Sequence, residues 1–361
     1  MRTTFTFLAL VALAVACNSN SEPSPDTTPS QTTEYTVSTV AGSDTEGYQD
    51  GKGPSAQFYG ATSLLCDPQG NVYIADQGNH RIRKMTPDGT VTTVAGGGPG
   101  DGWDANKDPL KAALHRPKYL ALATNGDLLI SEAGDRYYDK SNVLFRTLST
   151  TNGIANYLYA NPPASFDKQN YNNGGVVQDK AGNYYLLEAE GIRKISPQGV
   201  HTPNWVTGID TRGDQLTGNL LAIDTQGSLY FPSGINSWLK GEITKVAPDG
   251  SITYLKGGPV GSKLTEGKLS TVNLGFVRLL TVDNQNNLYV VNSGKAVVFD
   301  QVIKISPEGM VTFLAGGSGE GYVDGKGKEA HFQRIAGLAV DGKGTVYVAD
   351  YGRIRTITPS K

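Results

Sequence analysis

The sequence predicts an all-β fold: a six-bladed β-propeller whose sixth blade is completed by an N-terminal strand at residues 35–42. Three observations predict it. A tight turn recurs six times, as DPQG (67–70), ATNG (123–126), DKAG (179–182), DTQG (224–227), DNQN (283–286) and DGKG (341–344). A strand-forming run follows each turn: NVYIAD, DLLISE, NYYLLE, SLYFPS, NLYVVN and TVYVAD. Finally, residues 35–42 (YTVSTVAG) read as a fourth strand without its first three, whereas residues 332–361 hold three strands and lack a fourth. Pairing the two ends in one blade leaves no open sheet edge between first and last units.

The segment ahead of the repeats has a different character. Residues 1–16 read as a signal peptide: Arg2 precedes FTFLALVALAVA (5–16), an apolar run of 12 that is too short for a stable membrane span. It ends in Ala14-Val15-Ala16-Cys17, which resembles the lipobox of bacterial lipoproteins. The resemblance implies that Cys17 is diacylated. Residues 17–34 are the lipidated Cys and a disordered tether, because NSNSEPSPDTTPSQTTE has three Pro and no large apolar side chain to bury. Asn18 after Cys17 is not an Asp-type retention signal, which favours the outer membrane.

The repeats fill residues 35–361. Measured between turns they are 56, 56, 45, 59 and 58 residues apart. Each unit carries four strand signals: a run such as LLC (64–66), the VYIAD type, a run such as IRKM (82–85), and a last strand such as TVTTVAG (90–96). PDG (87–89), PQG (197–199), PDG (248–250) and PEG (307–309) turn the third strand into the fourth, with Pro fixing φ and Gly free to take φ > 0. GNVYIADQGNHRIRK (70–84) with PDGTVTTVAG (87–96) resembles the NHL repeat, as does EGYQDGKGPSAQF (46–58) with its copy EGYVDGKGKEAHF (320–332). That resemblance implies a six-bladed propeller and little about activity, since the family includes binding modules, scaffolds and a few lyases.

Asp76, His80, Arg81 and Arg83 crowd into eight positions, a density that resembles an active site. The six units, aligned on one another, argue against it. Asp76 corresponds to Glu132, Glu188, Ser233, Asn292 and Asp350; Arg83 corresponds to Arg146, Arg193, Thr244, Ile303 and Arg355. Acid and Arg are kept together in units 1, 2, 3 and 6 and lost together in units 4 and 5. Paired loss identifies a within-blade ion pair facing across a hairpin. Such a pair contributes about 0–1 kcal/mol if exposed.

No catalytic set emerges. His80, His115, His201 and His331 occupy four different repeat positions and do not make the three or four converging ligands a zinc site needs. Cys66 aligns with Leu122, Ile223, Val282 and Val340, an inward position that makes it an inert thiol. DGWDANKD (101–108) has oxygen-rich spacing but lacks the terminal Glu of a calcium-binding EF-hand loop. A net charge of −2 does not suit a nucleic-acid partner.

Strand alternation puts the Asp-x-x-Gly and Pro-x-Gly turns on one face and the second-to-third-strand loops on the other. From the acid position to the Arg position those loops run 7, 14, 5, 11, 11 and 5 residues. The long ones carry Tyr137, Tyr138, Trp238 and Phe299, and an inter-blade loop carries Trp103. Aromatics in polar loops suggest a ligand face. Arg116 and Arg334 share a repeat position near the channel mouth and are candidates for an anionic ligand group. The expectation is a monomeric, lipid-anchored binding or scaffold protein of the bacterial cell envelope. Its partner is a protein or glycan, and the lipid is its only membrane contact. No cofactor is assigned. The competing reading is a metal-dependent lactonase- or lyase-like enzyme holding calcium or zinc in the axial channel mouth.

Overall fold

The structure, a computed structural model, describes residues 33–97, 108–132, 145–149, 155–157, 175–188, 191–209, 220–233, 242–258, 266–293, 299–317 and 319–360. Six antiparallel sheets follow one another round a ring. Their inner strands are Ala61–Cys66, Pro117–Leu122, Val176–Gln178, Ala222–Ile223, Phe276–Val282 and Ile335–Val340. Each inner strand packs against the next, and Ile335–Val340 packs back against Ala61–Cys66, which closes the six-bladed propeller.

The six repeat anchors share one backbone state. Gly70, Gly126, Gly182, Gly227 and Gly344 have φ between 82° and 88°, and Asn286, the one non-glycine among them, has φ 66°. Glycine reaches this left-handed region without the Cβ clash, and Asn tolerates it better than most residues. Turn chemistry therefore fixes where every inner strand ends.

The second strands of blades 1, 2 and 4 (Val72–Asp76, Leu128–Glu132 and Leu229–Ser233) are buried at every position. They are covered on both faces, because each blade is stacked between two others. Six clusters of buried side chains result, one at each junction. Phe58, Leu64 and Ile74 of blade 1 meet Ala349 and Ile354 of blade 6, for example, while Leu279 and Val291 of blade 5 meet Leu338 and Val348 of blade 6. Each fully buried aliphatic contributes about 1.5–3 kcal/mol.

The N-terminal strand Tyr35–Gly42 pairs with Arg353–Pro359, from Tyr35 opposite Pro359 to Gly42 opposite Arg353. It supplies the fourth strand of blade 6. Four strands per blade is an incomplete account, however. Blades 1, 5 and 6 carry a fifth, two-residue edge strand (Gly51–Lys52, Gly267–Lys268 and Gly325–Lys326), delivered by the loop that enters the blade. Two residues are too few to show any periodicity.

The acid–Arg pair needs a second correction. Asp76 lies opposite Arg81, and it bonds diagonally to Arg83 at 2.8 Å. Both side chains are 0% exposed, as are those of Asp350 and Arg355. These are buried pairs, to which the magnitude for exposed ones does not apply. The Arg83 guanidinium also donates to Gln57 O, Gln49 O and Asp50 Oδ1; Arg355 donates to the equivalent His331 O, Val323 O and Asp324 Oδ1. One buried cation thus ties the entering loop to the hairpin. The register confirms the internal alignment: Ile74, Ile130, Leu186, Phe231, Val290 and Val348 lie opposite Arg83, Arg146, Arg193, Thr244, Ile303 and Arg355.

Candidate functional site

The two faces differ in how their polar groups are engaged. On the turn face, Asp224 Oδ1 accepts the N–H groups of Gln226 and Ser228, and its Oδ2 accepts the Tyr230 hydroxyl at 3.0 Å. Asp179–Tyr185 and Asp283–Tyr289 repeat this at 3.0 and 3.2 Å. Unit 2 has Ala123 and Leu129 in these two places, so Asp and Tyr also disappear together. Lysines overlie the rings: Lys84 on Tyr73, Lys194 on Tyr185, Lys245 on Tyr230 and Lys304 on Tyr289. A cavity of about 480 Å³ opens on this face where the turns of blades 2 to 5 converge, over Ile223 and Val282. Its carboxylates already accept several hydrogen bonds from their own turns, so this face reads as scaffold.

On the loop face a different set of residues surrounds the axial mouth. The inner strands of blades 1, 2, 5 and 6 begin with a bulge. Bulges re-aim side chains. The bulged residues are Thr62, Lys118, Arg278 and Ala336. Thr62 Oγ1 donates to Lys118 O at 3.2 Å, and Arg278 pairs with the buried Asp300. Blade 5 has therefore lost the Asp76-type pair and gained another across different strands, which residue-by-residue alignment could not reveal. Burial, and then the charge of Arg116, lower the Lys118 ammonium to about 8.

Arg116 is exposed and left-handed, with φ 47°. It stands where blade 1 has Gly60, whose φ is 68°. The Arg116 N–H donates to His80 Nδ1 at 3.3 Å, and the His80 ring lies edge-on to His115 at 6.0 Å. His80 itself has φ 57°. The same loop gives the Gly78 N–H to Tyr59 O at 2.8 Å, and a Cβ at Gly78 would strike the Tyr59 ring. Tyr59 is 49% exposed and neighbours Tyr351, which is 47% exposed with φ 57°. Tyr351 donates to Glu46, a contact that raises its hydroxyl pKa. Next to Tyr351, Asp350 accepts the N–H of the exposed Arg334 at 2.8 Å. A continuous strip thus runs over blades 6, 1 and 2. Left-handed non-glycine residues cost energy and concentrate where function constrains the backbone. Three of the five among the described residues lie on this strip.

Of the sequence-based candidates, Arg116 and Arg334 lie at the two ends of the strip. Phe299 is half-buried beside Asp300 in blade 5. Cys17, Trp103, Tyr137, Tyr138 and Trp238 lie outside the described residues, as does most of the 101–108 loop. Tyr59, Tyr351 and Lys118 were not singled out from sequence. Their signal was present, since each departs from its repeat equivalent: Tyr59 from Gln333, Tyr351 from Gln77, and Lys118 from Thr62. Among the described residues, no group of three or more His, Cys, Asp and Glu side chains could hold a metal ion.

No protein-family model matches the chain. Among curated proteins it is similar to Teneurin-3 of Mus musculus (22% identical, covering 86% of this chain) and of Danio rerio (21%, covering 85%). The chain spans only 13% and 12% of the length of those relatives. Among solved structures it is similar to two auxiliary nutrient binding proteins. The one from Bacteroides ovatus has a TM-score of 0.65 at 18% identity, covering 91% of this chain and 78% of that one. The one from Bacteroides thetaiotaomicron has a TM-score of 0.64 at 17% identity, covering 90% and 76%. A gluconolactonase of Xanthomonas campestris has a TM-score of 0.52 at 12% identity, covering 84% and 87%. Such distant likenesses establish the propeller and leave the chemistry to the site.

Proposed function

We propose that this chain is a non-enzymatic binding protein of the bacterial cell envelope, built on an NHL-type propeller and carried by a lipid on Cys17. It presents its loop face outward to a protein or glycan. The observation that carries this reading is the exposed strip of aromatic and cationic side chains on the loop face. The nutrient binding proteins that share this fold fit a binding role.

The test has two arms. Cys17→Ser releases the protein from the membrane, and continued retention would argue against acylation. A glycan array and a pull-down with the full-length chain are repeated with Tyr59→Ala and Arg334→Gln. Loss of the same ligand in both variants supports the loop face, whereas unchanged capture removes it. Stoichiometric calcium or zinc in the purified chain would instead favour the lactonase- or lyase-like reading.

A further inference from the structure

We infer that the strip takes an acidic saccharide, its anionic groups against Arg116, Lys118 and Arg334 and a sugar face on Tyr59 and Tyr351. This rests on the binding reading above and adds the ligand's chemistry. The cations are divided between the two ends: Arg116 and Lys118 stand on blade 2, Arg334 on blade 6. No acidic partner bonds the Arg116 or Lys118 head group among the described residues, unlike Arg278, which has Asp300. Between the cations lie two half-exposed phenol rings and Glu46.

An acidic sugar chain matches that order. It carries its charges one ring at a time, separated by apolar faces that stack on aromatic planes and by hydroxyls that donate to a carboxylate. A run of acidic residues in a peptide would bring continuous negative charge past Glu46, at a Coulombic cost. A neutral saccharide would leave the cations unused. Anionic groups gain charge-assisted hydrogen bonds from arginine.

Binding of the full-length chain in detergent is measured with four probes. They are an oligogalacturonate, a heparin-derived oligosaccharide, a neutral galacto-oligosaccharide of similar length and an oligoglutamate peptide. Arg116→Gly restores the residue blade 1 uses at this left-handed position, and Tyr351→Asn keeps a residue that tolerates φ > 0, so both variants retain the fold. The expected result is binding of a charged sugar that weakens as salt rises. It also weakens about tenfold in Arg116→Gly with Arg334→Gln. Tyr59→Ala with Tyr351→Asn weakens it similarly. The galacturonate and heparin arms tell carboxylate from sulfate recognition. The inference is overturned if the neutral sugar binds as tightly, if oligoglutamate binds best, if no probe binds, or if the variants bind as the parent does. A neutral glycan captured through the same strip would overturn the charge class while leaving the binding role intact.

Discussion

Asp324 Oδ2 accepts the backbone N–H of Thr39 at 2.7 Å, and its Oδ1 accepts the Thr39 hydroxyl, across 285 residues of chain. Asp50 makes the same two bonds to Thr93 within blade 1. Thr39 and Thr93 are therefore the same residue of two blades, one of which is assembled from both ends of the propeller. Asp324→Ala is expected to lower stability by about 1–3 kcal/mol, since it also removes a partner of the buried Arg355. Hydrogen exchange should rise first in residues 35–42. Protection unchanged there would mean that the latch is not what holds the strand.

Removing one member of a buried ion pair strands the other. Asp76→Asn should cost about 3–5 kcal/mol, measured by denaturant unfolding, because the fully buried Arg83 loses its buried carboxylate and keeps only the half-exposed Asp50. Asp76→Ser with Arg83→Thr copies the Ser233 and Thr244 that blade 4 has at these places, and should cost less than the single change. If the double variant is the worse of the two, the pair is worth more than its replacement and paired loss in blades 4 and 5 needs another cause.

Glu132 should make the protein pH-sensitive in an unusual direction. Desolvation raises its pKa to about 7, with Arg146 opposing that shift from 3.5 Å. The folded state therefore holds a proton that the unfolded state releases near the ordinary carboxyl value of about 4.3. Stability from this group is present below that value and is lost as pH rises to about 7. Glu132→Gln should be nearly silent at pH 5 and stabilising at pH 8, read as a change in Tm. A larger penalty at pH 8 would show that the carboxylate is ionised and well held.

Lys118 gives the opposite sign. Its pKa is lowered to about 8, so the folded protein bears a penalised charge below that pH and is relieved of it as pH rises toward the ordinary lysine value. An anionic ligand needs that charge. Affinity for the charged probe should fall as pH rises through about 8, and Lys118→Met should flatten the profile. A pH-independent affinity in the parent protein would exclude Lys118 from the site.

Much of the fold was legible because its punctuation is chemical. Gly70 and its five counterparts sit where only a left-handed residue closes the turn, and such places recur visibly. Paired loss revealed the Asp76–Arg83 contact but not its burial, since depth depends on the neighbouring blade and the entering loop, both distant in sequence. The Arg278–Asp300 pair was hidden because it replaces one ion pair with another at non-equivalent positions. Tyr59 and Tyr351 escaped notice because each sits in a stretch that otherwise matches the repeat, and the long loops drew attention first. The two candidate cations named from sequence, Arg116 and Arg334, stood out because they share a repeat position and differ from Gly60 there.

The pairing of Tyr35–Gly42 with Arg353–Pro359 has a mechanical consequence. A pull applied ahead of Tyr35, against a load held on the opposite face, runs along the strand axis. Its hydrogen bonds are then sheared as a group instead of being peeled open one by one. The blade that joins the two ends of the ring is thus built to resist tension along that strand.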